Sequence, residues 1–402
     1  MALTVTLPVA TGKLQPYTLQ GTAPVKPASG VKFNRIVYSA AHVVADPLAV
    51  VDPWINCAID WDATIAYRRH LWSLGLGVAE AMDTAQRGMG LDWATSLELI
   101  RRSLDAAKDF SGAASTGSGQ ALIASGCGTD HLVLENVKTV DEVIAGYEEQ
   151  MAAIEKLGGK LIVMASRALA RVAKSSADYE RVYDRILSQA KQPVVLHWLG
   201  EMFDPALAGY WGSSNVEQAM DTALGIINAH PNKVDGIKIS LLDKDKEIAM
   251  RRRLPPGVRM YTGDDFNYAE LIAGDGHGSE LFHGQSDALL GIFDAIAPAA
   301  SAALGELAQG NVEKFHAILG LTVPLSRHIF TAPTRFYKTG VVFMAWLNGH
   351  QTHFSMVGGQ QSTRSLQHFA ELFRLADAAD LLEQPELAVR RMKTLLALHG
   401  VE

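Results

Sequence analysis

Short apolar runs alternate along this 402-residue chain with stretches of helical periodicity, and this alternation constrains the fold more than any other feature. Near-continuous apolar runs are typical of buried parallel strands. Between them, apolar residues recur at positions i, i+3 and i+4, which indicates helices that bury one face. Because strand–helix–strand units of this kind are right-handed βαβ crossovers, the pattern predicts an α/β fold with a parallel sheet.

Eight repeats of the unit can be traced, six of them clearly. The clear strand predictions cover residues 34–41, 77–83, 160–168, 192–199, 234–240 and 258–265, and the weaker ones cover 110–117 and 278–284. The clearest helix predictions cover residues 61–75, 93–108, 139–158, 176–190 and 215–230. Eight repeats favour a closed (β/α)8 TIM barrel over an open sheet, and no GxGxxG follows the first strand to suggest a dinucleotide site.

The two ends of the chain depart from this pattern. Residues 1–30 are rich in Pro, Thr and Gly and predict an extended N-terminal arm, and residues 31–298 contain the predicted barrel. The remainder, 299–402, predicts a C-terminal helical extension with helices at 299–320, 324–332, 340–348, 364–380 and 386–399.

Composition restricts the partners and the compartment. A net charge of −7 gives no chain-wide basic surface, so nucleic acid is not expected as a partner. Two cysteines, Cys57 and Cys127, cannot build a disulfide framework, and Cys127 is most simply a small residue in a tight loop. With no leader-like start and no apolar run of about 18 residues, we expect a cytoplasmic protein without membrane contact.

Barrel enzymes carry their reactive groups at the carboxyl ends of the strands, and this rule selects Lys238. If Lys238 points into the barrel, burial lowers the pKa of its ammonium and yields the neutral amine that attacks carbonyl groups. A structural ion pair with Asp264 or Asp265 explains a lysine at this position equally well.

His197 ends the fifth predicted strand, where it can move protons near neutral pH or simply form part of a pocket wall. Acids and histidines at neighbouring strand ends leave a metal site open as an alternative, although no HxH or HExxH motif is present. The candidate ligands of a divalent metal are His197, Glu201, Asp264, Asp265 and His277, with Glu80 in addition.

Residues 230–238, HPNKVDGIK, are similar to the HPNIVGIK segment of the dihydrodipicolinate synthase / N-acetylneuraminate lyase superfamily of class I aldolases. Residues 261–265, YTGDD, resemble its SGDD turn, and residues 338–340 lie where it has its vKaal helix. The chain most resembles the DUF993 branch of this superfamily. The resemblance implies a TIM barrel, a Schiff base on Lys238 without a cofactor, and a homodimer or homotetramer.

Two segments depart from the superfamily pattern. Residues 82–86, MDTAQ, replace the GTTGE loop that binds the carboxylate of a 2-oxo acid, so only Thr84 matches and Asp83 would repel that carboxylate. Residues 197–203, HWLGEMF, replace the YNVPxRT segment, so His197 takes the place of the proton-relaying tyrosine and Met202 that of the arginine.

These similarities and departures predict a lyase or aldolase that keeps the amine nucleophile and is not a true dihydrodipicolinate synthase. Its predicted partner is a small neutral, polyhydroxylated carbonyl compound such as a keto-sugar derivative, on which Trp198 or Trp211 would stack. Lys238 and His197 are the predicted catalytic residues, and the predicted substrate-binding residues are Asp83, Thr84, Trp198, Glu201, Asp264, Asp265 and His277. A metal-dependent sugar isomerase, epimerase or hydrolase and a non-catalytic ligand-binding barrel stay open as alternatives.

Overall fold

A computed structural model describes residues 3–110, 121–275 and 284–401 of the chain. The strands in these residues are β1 (Thr4–Pro8), β2 (Leu14–Thr18), β3 (Val37–Ala40), β4 (Gly77–Glu80), β5 (Ile123–Cys127), β6 (Leu161–Val163), β7 (Val194–Leu199), β8 (Val234–Ser240), β9 (Arg259–Thr262) and β10 (Asp287–Leu290). Strands β3 to β10 are parallel and form a closed barrel, in which each strand pairs with the next and β10 pairs with β3. The predicted (β/α)8 barrel is therefore confirmed.

The six clear strand predictions each contain one barrel strand, whereas the two weaker ones name the wrong segments for strands three and eight. The third barrel strand is Ile123–Cys127 and the eighth is Asp287–Leu290. Most of the two segments predicted as these strands, residues 110–117 and 278–284, lies outside the described residues. Strand three consists mainly of small residues, so it does not form an apolar run that stands out.

Helices alternate with the barrel strands and continue beyond them. The described α-helices are α1 (Trp61–Ser73), α2 (Trp93–Lys108), α3 (Val140–Lys156), α4 (Arg167–Val172), α5 (Ser176–Gln189), α6 (Val216–Ala229), α7 (Lys244–Arg251), α8 (Tyr268–Ala273), α9 (Ile292–Ala295), α10 (Ala297–Ala308), α11 (Val312–Ile329), α12 (Tyr337–Leu347), α13 (Leu366–Ala378) and α14 (Pro385–Leu398).

Side-chain caps explain why the barrel helices begin where they do. Asp60 and Asp92 accept hydrogen bonds from first-turn amides of α1 and α2, and Asn215 does the same for α6. Thr139 and Glu142 form a reciprocal capping box at the start of α3. These caps satisfy amides that have no partner within a helix. The five barrel helices predicted from periodicity are all present at the expected places.

Alternation along the strands separates the barrel interior from the layer beneath the helices. On β7, Leu196 and Trp198 pack in the core between strands and helices, whereas Val195 belongs to the interior cluster with Tyr38 and Tyr261. Successive residues of a strand point to opposite sides, so His197 faces the interior as Val195 does.

The chain beyond the barrel is helical, as predicted, with one correction. The predicted helix 299–320 is divided between α10 and α11 at Gly310, which has a φ of +82°, and Pro324 lies inside α11 instead of starting a helix. All residues of α12 are buried, and this helix contacts α9, α13 and α14. The C-terminal helices thus form a second core against one side of the barrel.

The N-terminal segment is held on these C-terminal helices. Strands β1 and β2 form an antiparallel hairpin, so the predicted extended arm contains regular structure. The carboxylate of Asp377 on α13 accepts hydrogen bonds from the Tyr17 hydroxyl and the Gln20 and Gly21 amides. No described helix combines the length and the apolar character needed to cross a bilayer.

Candidate active site

Lys238 lies on β8 and points into the barrel. Its neighbours Ile237 and Ile239 pack in the outer core, so strand alternation directs Lys238 to the interior, where the residue is only 7% exposed. Gly263, just after β9, gives its side chain room, because a Cβ at that position would lie 2.7 Å from Cε of Lys238. The lysine therefore occupies the interior position that the sequence predicts.

The amine of Lys238 makes no hydrogen bond or ion pair with any residue that the structure describes, so the predicted alternative of a structural ion pair with Asp264 or Asp265 is not formed. Burial lowers the pKa of Lys238, and the negative charges of Asp265 and Asp83 counteract this shift only in part. The result is a desolvated amine that loses its proton more readily than a lysine in water.

His197 is the neighbour of Lys238 across the sheet, because the two residues are paired in the register of β7 and β8. Nε2 of His197 lies 3.4 Å from Oγ of Ser240, and its buried Nδ1 has no hydrogen-bond partner among the described residues. Burial, reinforced by the charge of Lys238, puts the pKa of His197 well below 6.5. The expectation that it titrates near neutrality is therefore wrong, since the imidazole is neutral there.

Asp264 and Asp265 follow β9 but differ in what their carboxylates contact. Asp264 accepts hydrogen bonds from the Phe266 and Asn267 amides and the Asn267 side chain, so it stabilises its own turn. Asp265 accepts one hydrogen bond of 2.9 Å from the Ile292 amide. Burial raises the pKa of Asp265 to about 7, and the charge of Lys238 opposes that rise. Asp265 can therefore exchange a proton near neutral pH.

Asp83 and Thr84 lie in a short 3₁₀ turn after β4. Oγ1 of Thr84 is 2.8 Å from the hydroxyl of Tyr337, the first residue of α12. Two residues that flank the turn, Ala81 and Gln86, have positive φ angles of 51° and 67°. A C-terminal helix thus contacts the loop that contains Asp83 and Thr84.

Two neighbouring cavities, which share several lining residues, open at the carboxyl ends of the strands. The inner one, of about 90 Å³, reaches His197 and is bordered by the charged residues Asp83, Arg87, Asp130, Arg167 and Asp204. The outer one, of about 320 Å³, shares Asp83, Arg87, Arg167 and Asp204 with it and adds Arg335, Tyr337 and Lys338. Their position is the one that TIM-barrel enzymes use for catalysis.

Several residues that border these cavities are not among the site residues predicted from the sequence. Arg87 and Arg167 follow β4 and β6, so the strand-end rule could have found them, and they pair with Asp130 and Asp204 respectively. Tyr337 and Lys338 come from a helix far beyond the barrel, and no local signal in the sequence links them to the site. Lys338 donates a 3.0 Å hydrogen bond to the Arg335 carbonyl, and burial lowers its pKa to about 8.

Other predicted site residues lie elsewhere. Trp198 packs edge-on against Trp211, with ring centroids 6.3 Å apart in the outer core, because its position on β7 alternates with His197. Glu201 is exposed beside a separate surface pocket. These positions correct the predictions that a tryptophan stacks on the substrate and that Glu201 binds it. His277 lies outside the described residues.

The predicted active-site metal ligands do not converge within the described residues. Glu80 accepts hydrogen bonds of 2.9 and 3.0 Å from the guanidinium of Arg68. The carboxylate of Asp264 accepts hydrogen bonds from the residues of its own turn. The one described group of three residues whose ligand atoms are close enough for a metal ion lies elsewhere in the fold.

Cys127 is a strand residue and not the loop residue that the sequence suggested. It ends β5, its Sγ lies 3.9 Å from the Tyr147 carbonyl, and burial raises the pKa of its thiol to about 12. A buried thiol of this kind packs as a small apolar group.

Comparison with known proteins agrees with the barrel fold. Solved structures similar to this chain include dihydrodipicolinate synthase from Cyanidioschyzon merolae with lysine bound, at 16% identity and a TM-score of 0.62, covering 87% of this chain and 100% of that one. YagE of the dihydrodipicolinic acid synthase family from E. coli K12, in complex with pyruvate, has 14% identity and a TM-score of 0.60, covering 92% and 99%.

A third similar structure is a dihydrodipicolinate synthetase homologue from Pseudomonas aeruginosa, with 15% identity and a TM-score of 0.58, covering 84% of this chain and 99% of that one. At these identities the likeness shows the shared fold. A search of curated proteins finds no match. The family model for DUF993, described as proteins of unknown function, matches residues 5–401, nearly the whole chain. The chain therefore belongs to the DUF993 family.

Proposed function

We propose that this protein is a Schiff-base-forming lyase or aldolase whose nucleophile is Lys238. The observation that carries the proposal is the environment of this amine, which is buried inside the barrel, unpaired within the described residues and adjacent to a neutral imidazole. A lysine in such surroundings is neutral more often than one in water, and a neutral amine attacks a carbonyl carbon.

The residues around Lys238 support a complete reaction sequence. The amine adds to the carbonyl, and the resulting carbinolamine loses water to give an iminium ion. The iminium then accepts the electron pair of the C–C or C–H bond that breaks at its α-carbon, which gives an enamine. The enamine takes up a proton at that carbon, and hydrolysis of the resulting imine frees the lysine. Asp265, whose pKa is about 7, supplies the proton that lets the hydroxyl leave as water, and the neutral His197 accepts protons during addition and cleavage.

The charges around the inner cavity favour a substrate that is neutral at its reacting end. Asp83, Asp130 and Asp204 face two arginines, and each arginine is paired with one of these aspartates. Asp83 therefore adds negative charge close to where a 2-oxo acid would place its carboxylate, whereas hydroxyl groups could donate hydrogen bonds to it. A hydroxylated ketone or aldehyde fits this cavity best.

The outer cavity is more positive because Arg335 and Lys338 join it. We therefore include substrates that carry an acidic group, such as a phosphate, distant from the carbonyl. A panel of hydroxylated ketones and aldehydes, with and without a terminal phosphate, and pyruvate as the 2-oxo acid, distinguishes these classes by turnover and by borohydride reduction followed by intact mass.

We expect a reduced adduct on the wild type with hydroxylated carbonyl compounds and none with pyruvate. Lys238→Ala should abolish the adduct, whereas Lys338→Gln should retain it. Turnover by Lys238→Ala at the wild-type rate would refute the proposal. A homodimer or homotetramer and a cytoplasmic location stay predictions.

A further inference from the structure

Two histidines and a glutamate meet outside the barrel, at the junction between α1 and the C-terminal helices. His70 lies in the last turn of α1, His350 follows α12, and Glu383 precedes α14. One ligand atom from each of the three residues lies within 4.8 Å of the others. None of the three borders either cavity of the candidate active site. We refer to them as the His70 cluster.

The two imidazoles of the His70 cluster are held side by side. Their ring centroids are 4.5 Å apart, and Nε2 of His350 lies 3.0 Å from Oε1 of Glu383. The ring of Tyr67 packs against both, at 5.6 Å from His70 and 5.1 Å from His350. Tyr67 is itself fixed by a 2.6 Å hydrogen bond from its hydroxyl to the Asp294 carbonyl. The ligand orientations are thus set by packing before any ion binds.

One imidazole nitrogen of the His70 cluster is unpartnered among the described residues. It is Nε2 of His70, which is shielded from water. Buried polar atoms are nearly always satisfied, so this nitrogen, which lies beside a second imidazole and a carboxylate, can accept a ligand without losing a hydrogen bond. The side chains of His350 and Glu383 are 18% and 30% exposed, which leaves an entry path from solvent.

We propose that His70, His350 and Glu383 bind one Zn²⁺ ion, with water as the fourth ligand. Two imidazole nitrogens and one carboxylate oxygen form a donor set that zinc adopts readily. Tetrahedral zinc with bonds of about 2.1 Å places its ligand atoms about 3.4 Å apart. Nε2 of His350 and Oε1 of Glu383, now 3.0 Å apart, would separate slightly, and the longer ligand-atom separations, of up to 4.8 Å, would shorten to this value. The ion would tie α1 of the barrel to the helices that carry Tyr337 and Lys338 into the candidate active site.

The test uses the full-length protein without an affinity tag, stripped with EDTA and then titrated with ZnCl₂ against a chromophoric chelator. We expect one tight site in the wild type and its loss in His70→Gln. Glu383→Gln keeps a hydrogen-bonding partner for His350 but removes the anionic ligand, so it too should lose tight binding. It also serves as the second variant if His70→Gln folds poorly.

The chain offers a matched control in a second histidine pair. His328 and His368 stack with ring centroids 4.1 Å apart, and Nε2 of His368 is likewise unpartnered within the described residues, but the pair belongs to no described three-ligand group. His368→Gln should bind zinc as the wild type does. Zinc should also raise the midpoint of thermal unfolding of the wild type and of His368→Gln, but not of His70→Gln, because an ion that binds only the folded state stabilises it.

Two results would overturn the proposal: a wild type that binds no zinc tightly, or equal zinc binding by the wild type and by both His70→Gln and Glu383→Gln. Neither result bears on the Schiff-base proposal, because the His70 cluster lies apart from Lys238.

Discussion

Lys238 and His197 are register partners on the adjacent parallel strands β8 and β7, so a buried amine and a buried imidazole lie side by side in the barrel interior. Burial lowers the pKa of both groups, and the positive charge on Lys238 lowers that of His197 further. The pair therefore favours neutral forms, which are the forms in which one group attacks carbonyls and the other accepts protons.

The first prediction concerns the division of work between these two residues. His197→Gln should still form the borohydride-reducible adduct, because the nucleophile is intact, but turnover should fall by about 10²–10⁴-fold, the usual contribution of general acid–base catalysis. Single-turnover adduct formation and steady-state rates measured on the same preparation separate the two effects. Unchanged turnover in His197→Gln would remove His197 from the mechanism.

The second prediction concerns pH. The amine of Lys238 must be neutral, so the rate should rise with pH along a limb that lies below the usual lysine value of 10.5. Asp265, whose pKa burial raises to about 7, must be protonated to deliver its proton, so its ionisation should make the rate fall at high pH. The profile of kcat/KM should therefore be bell-shaped, and Asp265→Asn should be slower and should lack the falling limb. A falling limb that persists in Asp265→Asn would contradict this role.

The third prediction concerns Glu247, a buried carboxyl on α7 that accepts hydrogen bonds of 2.7 and 2.9 Å from Ser286 and Thr262. Burial raises its pKa from 4.5 to about 8. Between these values the folded state retains a proton that the unfolded state has lost, so stability should fall as the pH rises, by up to about 1.4 kcal/mol per pH unit.

Glu247→Gln should make the fall in stability between pH 5 and pH 8 shallower by up to about 1.4 kcal/mol per pH unit in urea unfolding, which is the share that Glu247 contributes. The exposed Glu180 offers a control, and Glu180→Gln should keep the wild-type slope. Parallel stability profiles for the wild type and Glu247→Gln would show that Glu247 is ionised in the fold at all these pH values.

The fourth prediction concerns the contact between the C-terminal helices and the barrel. Thr84 and Tyr337 share a buried 2.8 Å hydrogen bond, so removing either hydroxyl leaves the other without this partner. Thr84→Val and Tyr337→Phe should each lower the free energy of unfolding by about 1–3 kcal/mol, and the double variant by less than the sum. Strictly additive losses would mean that the two hydroxyls do not interact.

The barrel and the interior position of Lys238 could be predicted from the sequence because both leave local signals. Continuous apolar runs mark buried parallel strands, and a lysine between Ile237 and Ile239 is unusual enough to stand out. The same rule failed for β5, where small residues such as Ser125 and Gly126 hide the strand. A second rule, that reactive groups lie at the ends of barrel strands, misplaced Trp198, because it does not specify on which side of the sheet a side chain lies.

The outer part of the site could not be predicted, for a different physical reason. Tyr337 and Lys338 reach the cavity only because α12 packs against the barrel, and tertiary packing of that range leaves no pattern in the neighbouring sequence. Arg87 and Arg167 follow barrel strands and were within reach of the strand-end rule. The site residues predicted near these strands come from residues 82–86 and 197–203, the segments that depart from the superfamily pattern, and neither segment contains Arg87 or Arg167.

Peptide mapping after borohydride reduction tests the central claim most directly. With a substrate that the wild type turns over, the added mass should lie on Lys238, in the segment that follows Lys233. Lys338 is the main alternative site for the adduct, because it is also buried with a lowered pKa and borders the outer cavity. An adduct on Lys238 alone is the predicted result, whereas an adduct on Lys338 alone, or turnover that leaves no adduct on Lys238, would contradict the account.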